Sequence, residues 1–350
     1  MARAQRDRGC DVALLGLRGQ GGPLLQRAKS SGIDVRTLGG HQTGKDLGLY
    51  RRIMRCLSEL EPNVVHTHDP ASLFYAAPVA RARGAVVVHT KHGDDTVGCK
   101  RRLAARAAAA LTHAVVAVSR DVATVARRGG EVGARKLLVI ENGVDTERFS
   151  PGAVAIRRAV ARERLGLPAD AQVVGCVARF EAIKRHWLLL EAMLPTLSEK
   201  RWMLLVGDGS QREAITKQVS AHPSGRFVVL AGMMKDPLDA LAAIDAFILT
   251  SSHEGLPLAL LEGLSVGLPA IASAVGGIPG VVEHGVSGWL VELGEPGDSH
   301  RLRSAVDEVL CDSGLCKALG SAARQRVEEH FSVARTCDAY LELYRTHLGN

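Results

Sequence analysis

Short runs of apolar residues alternate with helix-like segments along the whole chain, and the cycle occurs twice. The runs are rich in Val, Leu, Ile and Ala without polar alternation, which is typical of parallel strands buried on both faces. The first half contains five predicted strands, Asp11–Leu17, Asn63–His66, Ala85–Thr90, Ala114–Ser119 and Leu137–Glu141. The second half contains six, Gln172–Ala178, Trp202–Gly207, Phe227–Ala231, Ala246–Thr250, Ala270–Ala274 and Trp289–Val291. The pattern predicts an α/β protein with two parallel sheets.

The length of 350 residues exceeds what one typical hydrophobic core accommodates, which predicts two domains. The connection Asn142–Pro168 combines turn-forming dipeptides with a charged helix, so we place the boundary near Ser150. The predicted domains are therefore 1–150 and 151–332. A last helix is expected at about Val333–His347, within the segment 333–350.

Two carboxylates, Glu254 and Glu262, lie eight positions apart, at the mouth of an apolar helical segment and inside it. Glu262 falls among leucines, where an unpaired carboxylate is costly to bury. Eight helical residues rise about 12 Å, so one ligand with hydroxyls at both ends could contact both side chains. The free N–H groups of a helix start favour an anion between them. A sugar nucleotide has this arrangement; the alternative is a surface glutamate beside an unrelated core glutamate.

Two cations, Arg179 and Lys184, follow the predicted strand Gln172–Ala178. Loops after parallel strands are where open α/β sheets bind ligands. Arg can bridge two phosphate oxygens, and Lys acts as a point charge. Either residue alone is typical of an ordinary surface, but together with the two glutamates they indicate a site for a nucleotide sugar.

At these residues the chain resembles the family-4, or group 1, retaining glycosyltransferases of the GT-B fold. The resemblance runs from about Val64 to the C-terminus. The motifs that carry it follow in order: Glu141-Asn142-Gly143-Val144-Asp145 with Phe149, Arg179 with Lys184, Val206-Gly207-Asp208-Gly209, Glu254 with Glu262, and Gly276-Gly277-Ile278-Pro279. It implies two Rossmann-like domains whose parallel sheets face a central cleft, with acceptor binding in the first, nucleotide-sugar binding in the second, and a last helix that crosses back to the first.

The resemblance also implies the contacts of the donor sugar and diphosphate. Glu254 would accept a hydrogen bond from a sugar hydroxyl, while backbone amides near Gly255, Leu256 and Pro257 would hold sugar and phosphate. Arg179 and Lys184 would neutralise the leaving diphosphate.

The nucleoside end of the donor would, by the same resemblance, be held by other residues. Glu262 would bind the ribose hydroxyls, and the main chain around Met233 and Met234 would contact the base. Gly207, in the Val206–Gly209 motif, is a further expected donor-binding residue.

Four histidines lie near the ends of two predicted strands: His66, His68, His89 and His92. Their spacing is compatible with metal ligands, but such a site needs converging carboxylates, and the chain has no D-x-D. We therefore expect no metal and no cofactor, with a nucleotide diphosphate sugar as donor substrate. The preferred interpretation places these side chains along the cleft, and by resemblance His92 contacts the donor sugar near the reacting carbon.

The formal charge of +7 is unevenly distributed. Residues 1–150 carry 24 Lys and Arg against 14 Asp and Glu, whereas residues 151–350 carry 20 against 23. The basic first half predicts an anionic partner, such as a membrane surface touched peripherally or a phosphorylated acceptor. Nucleic acid is disfavoured because neither zinc-ligand spacing nor an aromatic RNA-binding pattern is present.

The seven cysteines are scattered without a C-x-x-C pair, which is typical of reduced thiols in the cytosol. Charged residues from Arg3 onwards interrupt any signal peptide at Met1. We therefore expect a cytoplasmic protein that acts at the inner face of the cell membrane.

Two glycine patterns point elsewhere and are set aside. Gly263-Leu264-Ser265-Val266-Gly267 fits the G-x-S-x-G elbow of a hydrolase, but a predicted helix precedes it where the elbow requires a strand. The loop 16–22 lacks the third glycine of a dinucleotide fingerprint, since Leu24 takes its place.

The chain departs from the family pattern in two places. The family's first strand and Gly-rich loop have no counterpart, because Met1 already lies at what reads as the end of the first helix. Gly280 stands where the family has Glu. The sequence thus predicts a retaining hexosyltransferase acting on a glycan, lipid-linked or small-molecule acceptor. A sugar-nucleotide epimerase and a non-catalytic sugar-nucleotide-binding scaffold remain alternatives.

Overall fold

The structure is a computed structural model that describes residues 1–18, 23–40, 46–93, 99–294 and 296–349. The strands are β1 (Ala13–Arg18), β2 (Asp34–Gly40), β3 (Val64–Thr67), β4 (Val86–Lys91), β5 (Ala114–Ala117), β6 (Leu137–Val139), β7 (Gln172–Val177), β8 (Arg201–Val206), β9 (Val228–Gly232), β10 (Ala246–Leu249), β11 (Ala270–Ser273) and β12 (Trp289–Val291). The helices are α1 (Ala2–Arg6), α2 (Pro23–Ser30), α3 (Leu47–Leu60), α4 (Pro70–Ala82), α5 (Cys99–Ala110), α6 (Arg120–Arg128), α7 (Pro151–Ala155), α8 (Arg158–Leu165), α9 (His186–Met193), α10 (Arg212–Ser220), α11 (Pro237–Ala243), α12 (Leu258–Ser265), α13 (Ile278–Val281), α14 (Asp298–Cys311), α15 (Ser313–His330) and α16 (Val333–Leu348).

The chain divides into two compact units, Met1–Asn142 with Val333–Asn350, and Gly143–Ser332. Residues 143–150, which the sequence assigns to the first domain, therefore belong to the second unit. The reason lies in their hydrogen bonds: the Val144 N–H donates to the Phe331 carbonyl at 2.8 Å. The Ser265 hydroxyl donates to the Phe149 carbonyl at 2.6 Å.

The second unit contains a six-stranded sheet in the order β12-β11-β10-β7-β8-β9, with every pair parallel. β10 and β11 are buried along their whole length, as their uninterrupted apolar sequences predict. The chain moves outward from β7 through β8 to β9, then returns to the other side of β7 with β10. The carboxyl ends of β7 and β10 thus form the topological switch point, where open α/β sheets bind ligands.

The first unit contains a parallel sheet in the order β3-β4-β5-β6 and a separate parallel pair, β1 and β2. Within the described residues, no strand joins the pair to the four-stranded sheet. β1 corresponds to the predicted strand Asp11–Leu17. Residues 19–22 of the loop 16–22 lie outside the described residues.

Strand β2 is absent from the sequence-based prediction. Its sequence, Asp34-Val35-Arg36-Thr37-Leu38-Gly39-Gly40, contains only two large apolar residues. It pairs with a single neighbour, β1, and Leu38 packs partly buried against the core of the unit. A strand with one paired edge needs little apolar sequence, so the buried-strand pattern does not reveal it.

Helix α16 packs on the four-stranded sheet of the first unit. Tyr340 and Leu343 are buried in one cluster with Val86, Val88 and Val116 of β4 and β5. None of the helices in the described part of the chain combines the length and the apolarity needed to cross a bilayer.

Candidate functional site

The loops that follow β7 and β10 carry the charged residues singled out in the second half of the sequence. Arg179 and Lys184 follow β7, and Glu254 follows β10. Because β7 and β10 are hydrogen-bonded neighbours at the switch point, their carboxyl ends lie at the same edge of the sheet. The sequence-predicted residues are therefore brought to one edge of one sheet.

Lys184 and Glu254 form an ion pair between these two loops. The Lys184 Nζ donates a short hydrogen bond to Oε1 of Glu254, and the Ser251 hydroxyl donates to the same oxygen at 2.6 Å. The two charged side chains are only 15% and 9% exposed. A pair so shielded from water is held by its mutual attraction and hydrogen bonds, and removal of either partner leaves a buried charge.

Arg185 fixes the loop that carries Lys184, and sequence reasoning missed this residue. Its guanidinium donates to the carbonyls of Thr250 at 2.8 Å and Ser251 at 3.1 Å. Its backbone adopts a φ of 47°, which is unusual for a residue other than glycine. The Thr250 hydroxyl donates to the Lys184 carbonyl at 2.9 Å. No pattern in the sequence distinguishes Arg185 from a surface arginine, because its partners are backbone carbonyls about 65 residues away.

Glycines behind Glu254 form its backbone support. The Gly277 N–H donates to the Glu254 carbonyl at 3.1 Å. A Cβ added at Gly276 would lie 1.9 Å from the same oxygen, and its φ is +56°. Gly276 is therefore required both by its left-handed conformation and by the close approach of the Glu254 backbone.

The predicted donor-binding residue Gly207 has a packing role in the structure. It directly follows β8, and a Cβ there would lie 1.9 Å from the Ala178 carbonyl oxygen. The Phe180 N–H donates to the Asp208 carbonyl at 2.9 Å, which ties this turn to the loop carrying Arg179. Phe180 is fully buried, whereas Arg179 is exposed. The glycine turn thus shapes the loop after β7; a contact of Gly207 with donor remains a prediction.

The helix between the two glutamates is shorter than the sequence predicts. α12 begins at Leu258, so Glu254 lies in the loop before it and only Glu262 is helical. The estimated rise of about 12 Å therefore does not apply to the whole interval, since Pro257 stands at the N-cap and residues 254–257 are not helical. The N-cap residue Pro257 makes no side-chain capping hydrogen bond to the first turn of α12. Gly255 and Leu256, which precede α12 in the chain, are buried, and Glu262 is half-buried.

Met233 and Met234 follow β9 at the same end of the sheet. The Met233 side chain is 78% exposed. β9 ends at Gly232, whose carbonyl accepts a hydrogen bond from the Gly207 N–H at 2.9 Å. The main chain expected to contact a nucleobase is thereby tied to the turn after β8.

Ser265, the serine of the G-x-S-x-G pattern, is fully buried at the end of α12. A helix precedes it, and its hydroxyl is committed to the Phe149 carbonyl. This position does not fit an exposed nucleophile on a strand-to-helix turn.

His92 and the other three strand-end histidines belong to the first unit. His66 and His89 lie in β3 and β4, and His68 and His92 just after them. Among the described residues, no group of three or more His, Cys, Asp or Glu is arranged to hold a metal ion. The expectation that no metal is needed stays a prediction.

His186 lies at the start of α9, and its burial leads us to expect that the second unit becomes less stable as the pH falls. It is 2% exposed, and burial lowers its pKa to about 4. Because the folded pKa lies below the ordinary value near 6.5, this histidine stabilises the fold above pH 6.5. That contribution is lost between pH 6.5 and pH 4, by roughly 3 kcal/mol. Urea unfolding followed by tryptophan fluorescence would measure it, because all three tryptophans, Trp187, Trp202 and Trp289, lie in the second unit.

A His186→Leu variant is the matched test of this prediction. Its free energy of unfolding should fall less than that of the unaltered protein over the same pH interval. An equal fall in both proteins would show that other groups determine the acid sensitivity.

Two family models match the chain and together span most of it. The model described as "Glycosyltransferase Family 4" matches residues 1–148, and "Glycosyl transferases group 1" matches residues 157–326. The second match contains every candidate residue of the switch-point loops.

Relatives of this chain include two bacterial glycosyltransferases. The chain is 32% identical over 221 residues to the lipopolysaccharide core biosynthesis glycosyltransferase LpsE of Rhizobium meliloti, which covers 63% of this chain and 61% of that protein. The chain thus spans less than two thirds of the rhizobial relative. It is 28% identical over 315 residues to the UDP-Gal:alpha-D-GlcNAc-diphosphoundecaprenol alpha-1,3-galactosyltransferase of Escherichia coli, covering 86% and 79% of the two chains.

Solved structures show the same fold over nearly the whole chain. A glycosyltransferase from Rickettsia africae superposes with a TM-score of 0.85 at 21% identity, covering 100% of this chain and 93% of that one. Anabaena HepE in complex with UDP and glucose superposes with a TM-score of 0.83 at 22% identity, covering 97% and 94%. With both family models matched and the parallel sheets in place, the chain belongs to the group 1 glycosyltransferases and has the GT-B fold.

Proposed function

We propose that this protein transfers a hexosyl group from a nucleotide diphosphate sugar to an acceptor hydroxyl, with retention of the anomeric configuration. The observation that carries the proposal is the Lys184–Glu254 pair, which joins the loops after β7 and β10 at the switch point of the sheet. A carboxylate suited to sugar hydroxyls and an ammonium suited to phosphate lie side by side there.

The proposed reaction needs no nucleophile from the protein. The bond between the anomeric carbon and the diphosphate oxygen breaks, and a bond from the acceptor oxygen forms on the same face of the sugar. The acceptor's proton passes to the departing phosphate oxygen. Arg179, Lys184 and the first turn of α12, which begins after Pro257, would stabilise the charge that grows on the diphosphate.

The remaining contacts complete the proposal. Glu254 would hold a sugar hydroxyl, Glu262 the ribose hydroxyls, and the main chain at Met233 and Met234 the base. His92 lies in the first unit, and its contact with the donor sugar is proposed from the family resemblance.

The acceptor is proposed to be a glycan or lipid-linked sugar at the inner face of the cell membrane. Two observations support this class. The names of the rhizobial and Escherichia coli relatives refer to lipopolysaccharide core and to a diphosphoundecaprenol acceptor. The first 150 residues carry ten more basic than acidic residues, which would favour an anionic surface or phosphorylated acceptor.

Calorimetric titration of the protein with UDP, GDP and ADP tests the donor site. We expect saturable binding of one nucleotide; UDP is tested first because the HepE structures contain UDP or UDP-glucose. Glu262→Ala should weaken this binding by about 10–100-fold, the value of hydrogen bonds to a charged group. Glu213→Ala is the matched control, because Glu213 is an exposed glutamate in the first turn of another helix, α10.

Incubation with the matching nucleotide sugar, with and without acceptors, extends the titration and separates the alternatives. No binding to a folded sample would overturn the donor-site assignment. Binding without turnover, even with acceptors supplied, would indicate a scaffold. Formation of an isomeric sugar nucleotide without acceptor would indicate an epimerase.

A further inference from the structure

Three of the four strand-end histidines of the first unit, His66, His68 and His92, form an ordered row on one face of the sheet. β3 and β4 are parallel neighbours, with His66 opposite Val88 and Thr67 opposite His89. Because side chains alternate between faces, His66 and His68 share a face with Thr90 and His92. α16 packs on this face, since Tyr340 lies in one buried cluster with Val88 and its hydroxyl is 2.7 Å from that of Thr90.

One end of the row is fixed by two tyrosines of α16. Tyr344 Oη lies 2.6 Å from His66 Nδ1, and His66 Nε2 lies 2.7 Å from the Thr90 hydroxyl. The Thr90 hydroxyl lies 2.7 Å from Tyr340 Oη. Both nitrogens of His66 therefore have a hydrogen-bond partner, and its ring cannot turn without breaking both contacts.

The hydrogen bonds around His66 occupy both of its ring nitrogens. Burial lowers the pKa of His66 well below its ordinary value, and a neutral imidazole has one donor and one acceptor nitrogen. The Tyr344 hydroxyl, which also accepts from Gln5 Nε2 at 3.3 Å, and the Thr90 hydroxyl can each donate or accept, so they hold the ring in place in either tautomer.

The row continues by ring stacking from His66 to His92. The rings of His66 and His68 stack with their centroids 4.2 Å apart, and those of His68 and His92 lie 5.6 Å apart at an interplanar angle of 28°. His68 Nδ1 lies 3.3 Å from His92 Nε2. Only one proton fits between these nitrogens, so the tautomer of one ring determines which nitrogen of the other carries a proton.

We propose that His68 is a positioning residue, which fixes the ring orientation and the tautomer of His92 and is itself held by the His66 ring. The inference rests on the proposed function in one respect, the contact of His92 with the donor sugar. Its geometry lies wholly within the first unit. A histidine that contacts a sugar hydroxyl must present a defined donor or acceptor nitrogen, and the contact of His92 Nε2 with His68 Nδ1 would fix that choice before substrate binds.

Imidazole ¹⁵N NMR of the full chain tests the positioning without requiring activity. In the unaltered protein, the two ring nitrogens of His92 should show one fixed set of shifts. His68→Leu should give averaged shifts at His92, whereas His68→Asn, whose amide lies near the place of Nδ1, should restore them. His347→Leu, an exposed histidine of α16 outside the row, should leave His92 unchanged.

Kinetics of the same variants test the consequence for transfer. We expect His68→Leu to lower kcat by about 10–100-fold with donor KM nearly unchanged, and His68→Asn to recover most of that loss. Tyr344→Phe, which removes only the hydroxyl, should fall between them and serves as the second variant if His68→Leu does not fold. Unchanged His92 shifts in His68→Leu would overturn the proposal. If the His92 shifts are fixed but the unaltered protein transfers no sugar, the proposed transferase activity is overturned and the positioning of His92 is not.

Discussion

A Glu254→Gln variant is expected to lower kcat/KM for sugar transfer by about 10²–10³-fold. The substitution keeps the shape of the side chain and removes the charge that binds Lys184. Lys184 would then lose the partner that fixes it at the proposed diphosphate site. The Lys184 side chain is only 15% exposed, so its unpaired charge also destabilises the second unit, by about 3–5 kcal/mol.

The double variant Lys184→Met/Glu254→Gln separates the structural and the chemical roles of the pair. With no charge left to bury, its free energy of unfolding should recover much of the loss seen in Glu254→Gln, while its transfer rate stays low. Urea unfolding by tryptophan fluorescence and an initial-rate assay measure the two effects. Glu213→Gln, at an exposed position of α10, is the control and should change neither. Recovery of transfer in the double variant would contradict a catalytic role for the pair.

The sequence predicts those residues of the site that are marked by their near neighbours in the chain. Arg179 and Lys184 follow the apolar run of β7, and Glu254 follows that of β10, so strand ends and charges locate them. No local sequence pattern predicts that the Ser251 hydroxyl donates to Glu254, or that the Arg185 guanidinium donates to the Thr250 carbonyl. Those contacts arise only when the two loops meet at the sheet edge.

The fold shows the same division between local and long-range signals. The predicted α/β class and GT-B fold are both confirmed. The α/β class could be predicted because buried parallel strands leave uninterrupted apolar runs in the sequence. β2 was missed because a strand paired on one side needs few apolar residues. The segment 143–150 was assigned to the first domain, yet its bonds reach Phe331 and Ser265, far along the chain.

Gly276→Ala should abolish donor binding and destabilise the second unit by about 2–5 kcal/mol. Two effects add at this position. A φ of +56° costs about 1–2 kcal/mol for an L-residue with a side chain. The new Cβ would also lie 1.9 Å from the Glu254 carbonyl, and relief of such overpacking costs a further 1–3 kcal/mol, roughly. The backbone of Glu254 must move away, and the Lys184 pair moves with it.

Gly285→Ala is the matched control, because Gly285 has a φ of +75° in the same unit with nothing within 4 Å of an added Cβ. It should show the conformational cost alone, about 1–2 kcal/mol, with nucleotide affinity unchanged. The difference between the two variants isolates the close approach behind Glu254. If Gly276→Ala binds nucleotide as tightly as Gly285→Ala, the glycine contact does not position the donor site, and the assignment of Glu254 must rest on its side-chain pair alone.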